Sequence, residues 1–261
     1  MRVNFQLLFG LLISAAWLAT PTAQARESSY SISLDAFATP RYAGSDSTAF
    51  AVMPGFRADF GNGFFIDPTK GGAGYSHAFS NRIFATAAVT YDPGRADYNR
   101  YAQPGSDELA GMGKIKGSIL GGFTVGARLW SATEASVTIL LPMTNTERGW
   151  SGTAKLVFPV YARDANTVTV VPSVNFGSRK NTQTYFGVTP LQSQQSGFAT
   201  YSPSGGIQSA TVSAIYSHTV SRNWTVRAAA GVSQLLGDAK DSPIVKRSLN
   251  YSGGVGLIYS F

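Results

Sequence analysis

Two serine–histidine doublets, Ser76-His77 and Ser217-His218, are the places where a hydroxyl nucleophile and an imidazole base stand side by side. A hydrolase built on such a pair needs the hydroxyl within hydrogen-bond reach of the ring. Both doublets lie in runs that alternate as strands do, where adjacent side chains point to opposite faces. Neither doublet can therefore pair nucleophile with base, and a lipid hydrolase is the weakest reading. An amphipathic ring at a membrane interface is the plain alternative for each histidine. The chain has no cysteine, which removes disulfides, thiolate metal sites and cysteine nucleophiles. Two histidines cannot build a histidine-rich metal centre, and no phosphate-cradling glycine loop is present. The expectation is no catalytic residue, no cofactor and no metal.

The remaining chemistry is charge. Asp35, Arg57, Asp59, Arg128, Lys155 and Arg227 each stand in an alternating stretch, on the polar side of the alternation. Such a set is either a paired network filling a narrow lumen or the lining of a charge-selective pore. The network is the preferred reading, because a barrel of this size lies between side-chain-filled and channel-forming ones.

The elements that would position these charges read with a period of two. At the C-terminus Leu249, Tyr251, Val255, Leu257, Tyr259 and Phe261 alternate with Ser248, Asn250, Ser252, Gly254 and Ser260. The stretch is long enough to cross a bilayer as a tilted strand, which takes roughly 9–11 residues. Similar runs cover 30–39, 50–60, 64–67, 73–79, 83–91, 117–130, 134–141, 152–162, 168–176, 210–217 and 224–233. The fold class expected is all-β: a closed antiparallel transmembrane barrel of about twelve strands, an even number as single-chain bacterial barrels have.

Connections of two lengths mostly alternate. Short ones are 61–63, 80–82, 131–133, 163–166 and 221–223; long ones are 40–48, 92–116, 143–151, 177–206 and 237–246. Short periplasmic turns and long outer loops are the barrel signature. The connection 68–71 is short on the outer side, which leaves the local register open. Phe60, Phe64, Phe79, Phe84, Trp130, Tyr161, Trp224 and Phe261 flank the turns as an interfacial girdle would. A soluble β-sandwich also alternates, but strand length, loop asymmetry and the girdle favour the barrel. Charges on the lipid face would cost roughly 2–4 kcal/mol at mid-bilayer, which turns the charged set inward.

Residues 1–25 read as a cleaved export signal: Arg2, an apolar run from Phe5 to Leu18, then Ala23-Gln24-Ala25. An uncleaved N-terminal anchor is the alternative. The barrel domain would then be 26–261, integral in the outer membrane of a Gram-negative cell and in contact with its lipid. Charged residues are only 13% of the chain and the formal net charge is +7. Without a Lys/Arg run, that excess does not make a nucleic-acid stripe.

The long loops are nearly charge-balanced and rich in Gly, Ser, Gln and Tyr, which by default makes them a solvated rim. Three stretches in them carry a resemblance. The first is Thr184-Tyr185-Phe186-Gly187-Val188-Thr189-Pro190, continuing through Gln192-Ser193 and Ser196-Gly197 to Tyr201. The second is Leu235-Leu236-Gly237-Asp238-Ala239 followed by Asp241-Ser242-Pro243-Ile244-Val245, and the third is Tyr42-Ala43-Gly44-Ser45-Asp46. With these the chain resembles the MltA-interacting protein (MipA/OmpV) family of Gram-negative outer-membrane proteins, over essentially all of 26–261. The resemblance implies a barrel with no catalytic residues, and a role as a scaffold joining a lytic transglycosylase to a peptidoglycan synthase. Other members look like adhesion or osmotic-response proteins. The stretches fall on the outer side, away from a periplasmic scaffold surface. An alternative use for them is an inward-folded plug packed by Tyr185, Phe186 and Tyr201. The competing functions are a small-solute channel and a surface adhesin.

Overall fold

The computed structural model describes residues 27–130 and 133–261. The export signal, its cleavage point before Arg26, and Ser131 and Ala132 of one short turn lie outside the described residues. Twelve strands follow one another as β1 (Ser29–Pro40), β2 (Thr48–Asp59), β3 (Phe64–Asp67), β4 (Gly72–Ala78), β5 (Ile83–Asp92) and β6 (Ser118–Arg128). The second half continues with β7 (Glu134–Pro142), β8 (Ser151–Arg163), β9 (Asn166–Gly177), β10 (Gly206–Thr219), β11 (Trp224–Leu235) and β12 (Leu249–Ser260). Each strand pairs antiparallel with its sequence neighbours, and β1 closes on β12 from Ser31↔Ser260 to Ala38↔Gly253. Closure removes the exposed edge that an open sheet would present to lipid. Among the described residues no helix is long and apolar enough to cross a membrane; the wall crosses with strands.

Alternation decides which face each residue takes. In β12 Leu249, Tyr251, Val255 and Leu257 are exposed outward, while Asn250, Gly256 and Ile258 are buried toward the lumen. β1 turns Ile32 and Leu34 out and Ser33 and Asp35 in. The outward set forms a continuous apolar band, whose burial in lipid is worth about 25 cal/mol per Å² of apolar surface. Short turns join strands at the end that carries both termini, which is the periplasmic end. Gly61 and Gly63 hold left-handed backbone (φ +74° and +98°) in one of them, a region glycine enters without a Cβ clash. A bulge between Pro159 and Tyr161 absorbs a proline that cannot donate to the ladder.

Ten strands run 9 to 14 residues, but β3 has four and β4 seven. The register left open at 68–71 resolves as a low hairpin. Asp67 caps a 3-10 turn, Pro68–Lys70, by accepting from the Thr69 amide at 2.8 Å, and Gly71 reverses the chain.

The girdle needs one correction. Phe60, Phe64, Phe79, Trp130, Tyr161, Trp224 and Phe261 are exposed at the periplasmic rim, but Phe84 is buried in the lumen with the Arg128 guanidinium 5.5 Å from its ring centre. Nearness to a turn does not set the face; parity does, and Phe84 stands one residue past the outward Ile83.

Candidate functional site

The interior of the barrel holds a cavity of about 1100 Å³. Its lining runs from Glu27, Ser29, Gly61, Gly63 and Ser260 at the periplasmic rim up to Arg95, Tyr185 and Phe186 beneath the outer loops. Arg57, Asp59, Arg128 and Lys155 of the expected charged set line it. Asp35 and Arg227 face inward as a pair of their own, Arg227 Nη2 lying 3.1 Å from Asp35 Oδ1, and the Ser33 hydroxyl donates to Asp35 Oδ2 at 2.6 Å. Gly256 stands opposite Asp35 because a Cβ there would overlap its carboxylate.

Asp67, Lys70 and Glu134 complete the interior set and were not among the residues singled out from the sequence. Arg57 Nε lies 3.6 Å from Asp67 Oδ1 and Lys70 Nζ lies 3.3 Å from Asp59 Oδ2, while Glu134 lines the same cavity as Arg128 and Lys155. Alternation carried the signal for two of them: Phe64 and Ile66 face out, so Asp67 faces in, and Val137 faces out, so Glu134 does not. An apolar pad of Val157, Val171 and Ile215, with Ala229 against it, accompanies the charges. The arrangement is a partly paired network around open space rather than a filled lumen.

Each histidine has neighbours of its own. His218 Nδ1 lies 2.9 Å from Asn166 Oδ1, and His77 sits between Tyr75 and Phe79 in a row of interfacial rings.

The outer end is the largest departure from expectation. The long loops do not form a solvated rim; they pack into a cap with its own core. Tyr42 from the first loop, Leu109 and Met112 from the β5–β6 loop, Val188 from the β9–β10 loop and Ile244 from the last loop bury together, with Phe198 and Tyr201 against them. A second cluster joins Phe186, Leu235 and Ala239, with Tyr185 and Val245 beside them. Three short helices lie in the cap, α1 (Arg179–Phe186), α2 (Pro190–Ser196) and α3 (Gly237–Lys240); α1 carries Tyr185 and Phe186, and α3 carries Ala239. Ser178 caps α1, and Thr189 and Gln192 form a capping box ahead of α2 with Pro190 in its first turn. Thr184 Oγ1 donates back to Lys180 O at 2.8 Å.

The three stretches that carried the resemblance meet in this cap. Gly187 leads from α1 into a bridge between Val188 and Tyr201. Ser242 Oγ donates to Phe186 O, and the Tyr201 hydroxyl donates to Asp238 O at 2.8 Å. Gly237 opens α3 at φ +51°, Asp241 ends it, and Pro243 leads into the buried Ile244. Ser204 donates its amide and hydroxyl to Asp238 Oδ2 at 2.6 and 2.5 Å, which holds the Asp238 carboxyl below the usual range. Asn250, at the top of β12, accepts from Gly44 N and donates to Ser45 O, each at 2.9 Å.

Polar contacts beneath the cap are dense. Asp92 Oδ2 accepts from Arg148 Nη2 at 2.9 Å and from the Tyr185 hydroxyl at 2.8 Å. The Tyr42 hydroxyl sits 3.2 Å from Glu108 Oε2 and 2.9 Å from Ile244 O; burial first, then Glu108, pushes its pKa well above the usual tyrosine value. Arg95 is fully buried, which pulls its guanidinium down to about 10, and its Nη1 donates to Tyr185 O at 2.6 Å.

A family model described as MltA-interacting protein MipA matches residues 32–261. The chain belongs to the MipA family. That match runs from Ile32 in β1 to the last residue, and so takes in all but the first three residues of the barrel strands and every loop of the cap. No curated protein matches the chain. Solved structures resemble it in outline. An outer membrane channel from Pseudomonas putida F1 is 8% identical, over 95% of this chain and 100% of that one, with a TM-score of 0.47. The Pseudomonas putida toluene transporter TodX is 9% identical over 90% and 88%, TM-score 0.38. The attachment invasion locus protein Ail of Yersinia pestis is 10% identical over 91% and 100%, TM-score 0.22. The closed barrel and its apolar outer band place this member of the MipA family in the outer membrane.

Proposed function

We propose that the protein is a non-enzymatic outer-membrane anchor that holds a lytic transglycosylase at the periplasmic mouth of its barrel, with a peptidoglycan synthase as a further partner. One observation carries this reading: the outer end is shut by a packed cap while the lumen reaches the periplasmic rim. A constitutive small-solute channel along the barrel axis would need a path through Leu109 and Ile244, both fully buried. An adhesin needs loops with free side chains, and these loops spend their apolar residues on one another. The family's own description supplies the partner class, an MltA-type enzyme. The surface available to it is the rim and the exposed turn arginines Arg82, Arg163 and Arg222.

The test is a photoreactive amino acid placed at each of these three turns in living cells, followed by capture and identification. Crosslinks to a murein hydrolase or synthase, lost on changing the turn arginines to glutamate, are the expected result. A folded barrel that captures no cell-wall enzyme from any turn overturns the proposal and makes conductance through an opened cap the next reading.

A further inference from the structure

The barrel wall has a window. β2 pairs with β1 along its full length, but on its other side only Ala58 and Asp59 meet β3, leaving residues 48–57 without a strand partner. Likewise β5 meets β4 only up to Val89. The sill between them is the β3–β4 hairpin, whose four-residue strand spans roughly 13 Å at about 3.3 Å per residue. A tilted strand needs roughly 9–11 residues to cross the hydrocarbon. The lintel is the β5–β6 loop, which crosses from Arg95 to the first loop, where Gly105 N donates to Arg41 O at 2.9 Å.

One side chain spans the opening. Val52 N–H donates to the Tyr101 hydroxyl at 3.0 Å, and that hydroxyl donates to Val52 O at 3.2 Å. Val52 therefore turns its peptide groups toward the window, and so by parity does Pro54, which has no N–H to leave unpaired. Tyr101 is 71% exposed, and the next residue, Ala102, is buried in left-handed backbone at φ +56°, a region alanine seldom adopts. Unpaired backbone at membrane depth persists only against protein or a wet cavity. Here the lumen lies directly behind: Ala51, Thr69, Thr90 and Ala102, one from each side of the frame, all line it.

The same cavity contains an unanswered positive charge. Arg95 is 5% exposed and lines the cavity roof beside the window, yet among the described residues no carboxylate lies within 4 Å of its guanidinium. Its contacts are one carbonyl, Tyr185 O, and the face of Tyr42 at 6.0 Å. The neighbouring Asp92 is taken by Arg148, Tyr185 and the Gly94 amide. A buried guanidinium is stabilised by an anion that matches its fork. Outside the window the wall is Phe50, Val52 and Phe56, exposed to hydrocarbon.

We propose that the gap between β2 and β5 is a lateral portal between the lumen and the membrane, latched by Tyr101, that admits an anionic amphiphile, with its acidic head on Arg95 and its acyl chain passing out between Tyr101 and β2. A carboxylate or phosphate head would serve, so the ligand is either a free fatty acid or an anionic phospholipid.

The experiment uses the intact barrel in nanodiscs and two probes: palmitate carrying a diazirine on its chain, and phosphatidylglycerol with the same photoreactive chain. Mass spectrometry then maps the labelled residues. The expected result is label on lumen-facing Ala51 and on Ala102, with a drop of about tenfold in Arg95→Gln and a faster rate in Tyr101→Phe. Label from palmitate alone assigns the free acid, and label from phosphatidylglycerol alone assigns the membrane lipid. Should Arg95→Gln fail to fold, Ala51→Trp blocks the frame from inside and should remove the lumen label equally. Label confined to outward residues around the whole barrel, label at Ala51 and Ala102 unchanged in Arg95→Gln, or label at Ala102 unchanged in Ala51→Trp overturns the portal.

Discussion

Leu109→Ala is the sharpest probe of the cap. Leu109 is fully buried; Met112 comes from its own β5–β6 loop, and Tyr42, Val188 and Ile244 come from the first and the last two outer loops. Those loops are tied at both ends to barrel strands, so the site cannot collapse around a truncated side chain. Removing a buried leucine side chain costs its transfer free energy plus a cavity term, about 2–5 kcal/mol in all. Taking about 3 kcal/mol, and about 1.4 kcal/mol per factor of ten, the open population of the cap rises roughly a hundredfold. The barrel itself, held by twelve closed ladders, should keep its melting behaviour, because the lost contacts belong to a separately opening unit. Two assays read the change. Trypsin should cut after the exposed Lys114 about a hundred times faster, and planar-bilayer recordings should show brief openings that the unmodified protein lacks. Leu191→Ala, on the exposed face of α2, is the matched control and should do neither. Tryptic and conductance behaviour within twofold of the unmodified protein in Leu109→Ala would refute the cap as an apolar lid.

Other expectations follow from single contacts. Arg227→Met leaves the half-buried Asp35 without its cation and should destabilise the barrel by about 1–3 kcal/mol, read as a lower temperature for loss of the folded gel band. Adding Asp35→Leu should restore much of it, since removing both charges is gentler than removing one. Thr189→Ala breaks the capping box and should cost about 1 kcal/mol locally, seen as faster amide exchange in α2 with the barrel amides unchanged. The Asp238 carboxyl is held low by the Ser204 amide and hydroxyl. Its contribution is therefore whole above the ordinary carboxylate pKa and disappears as pH falls through the lowered folded value. Exchange at the Ser204 amide should accelerate only in strong acid, and Asp238→Asn should flatten that dependence.

The barrel was legible in the chain because its wall is a repeating local pattern: one residue to lipid, the next to the lumen. Alternation places Asp35 and Arg227 opposite ways from Leu34 and Val226 with no knowledge of their partners. The same rule, applied through to the end of β3, points Asp67 inward. Where proximity to a turn stood in for parity, as at Phe84, the face came out wrong. The cap was not legible, for a different physical reason. Its core takes one or two apolar residues from each loop, Tyr42 here and Ile244 some two hundred positions later, so no window of sequence contains a hydrophobic pattern. Its helices of eight, seven and four residues are too short to show a period of 3.6. The stretches bearing the family resemblance named the right residues, and the plug alternative gave Tyr185, Phe186 and Tyr201 an apolar packing role, but neither supplied Tyr42, Leu109 or Ile244 as their neighbours. The window escaped notice because a short strand reads as a weak strand, and only the ladder shows which neighbour goes unpaired.

The two ends of the barrel obey different physics, and that separates what each can do. At the periplasmic end the turns are a few residues long, so the backbone is held by the adjoining ladders and the exposed side chains are charges and interfacial rings. Such a surface changes little on contact, which favours a partner that brings its own complementary shape. At the outer end the cover is loops held to one another by two small apolar clusters, and loops so held open at lower cost than the wall does. A cap held this way can open while leaving the periplasmic surface undisturbed. The proposed partner binding at the mouth and the opening of the cap should therefore vary independently. Leu109→Ala should leave crosslinks from Arg82, Arg163 and Arg222 intact, whereas glutamate at those turns should leave the tryptic rate at Lys114 intact. Coupling between the two would show as a loss of turn crosslinks in Leu109→Ala, and would mean that the cap and the mouth report to each other through the lumen charges.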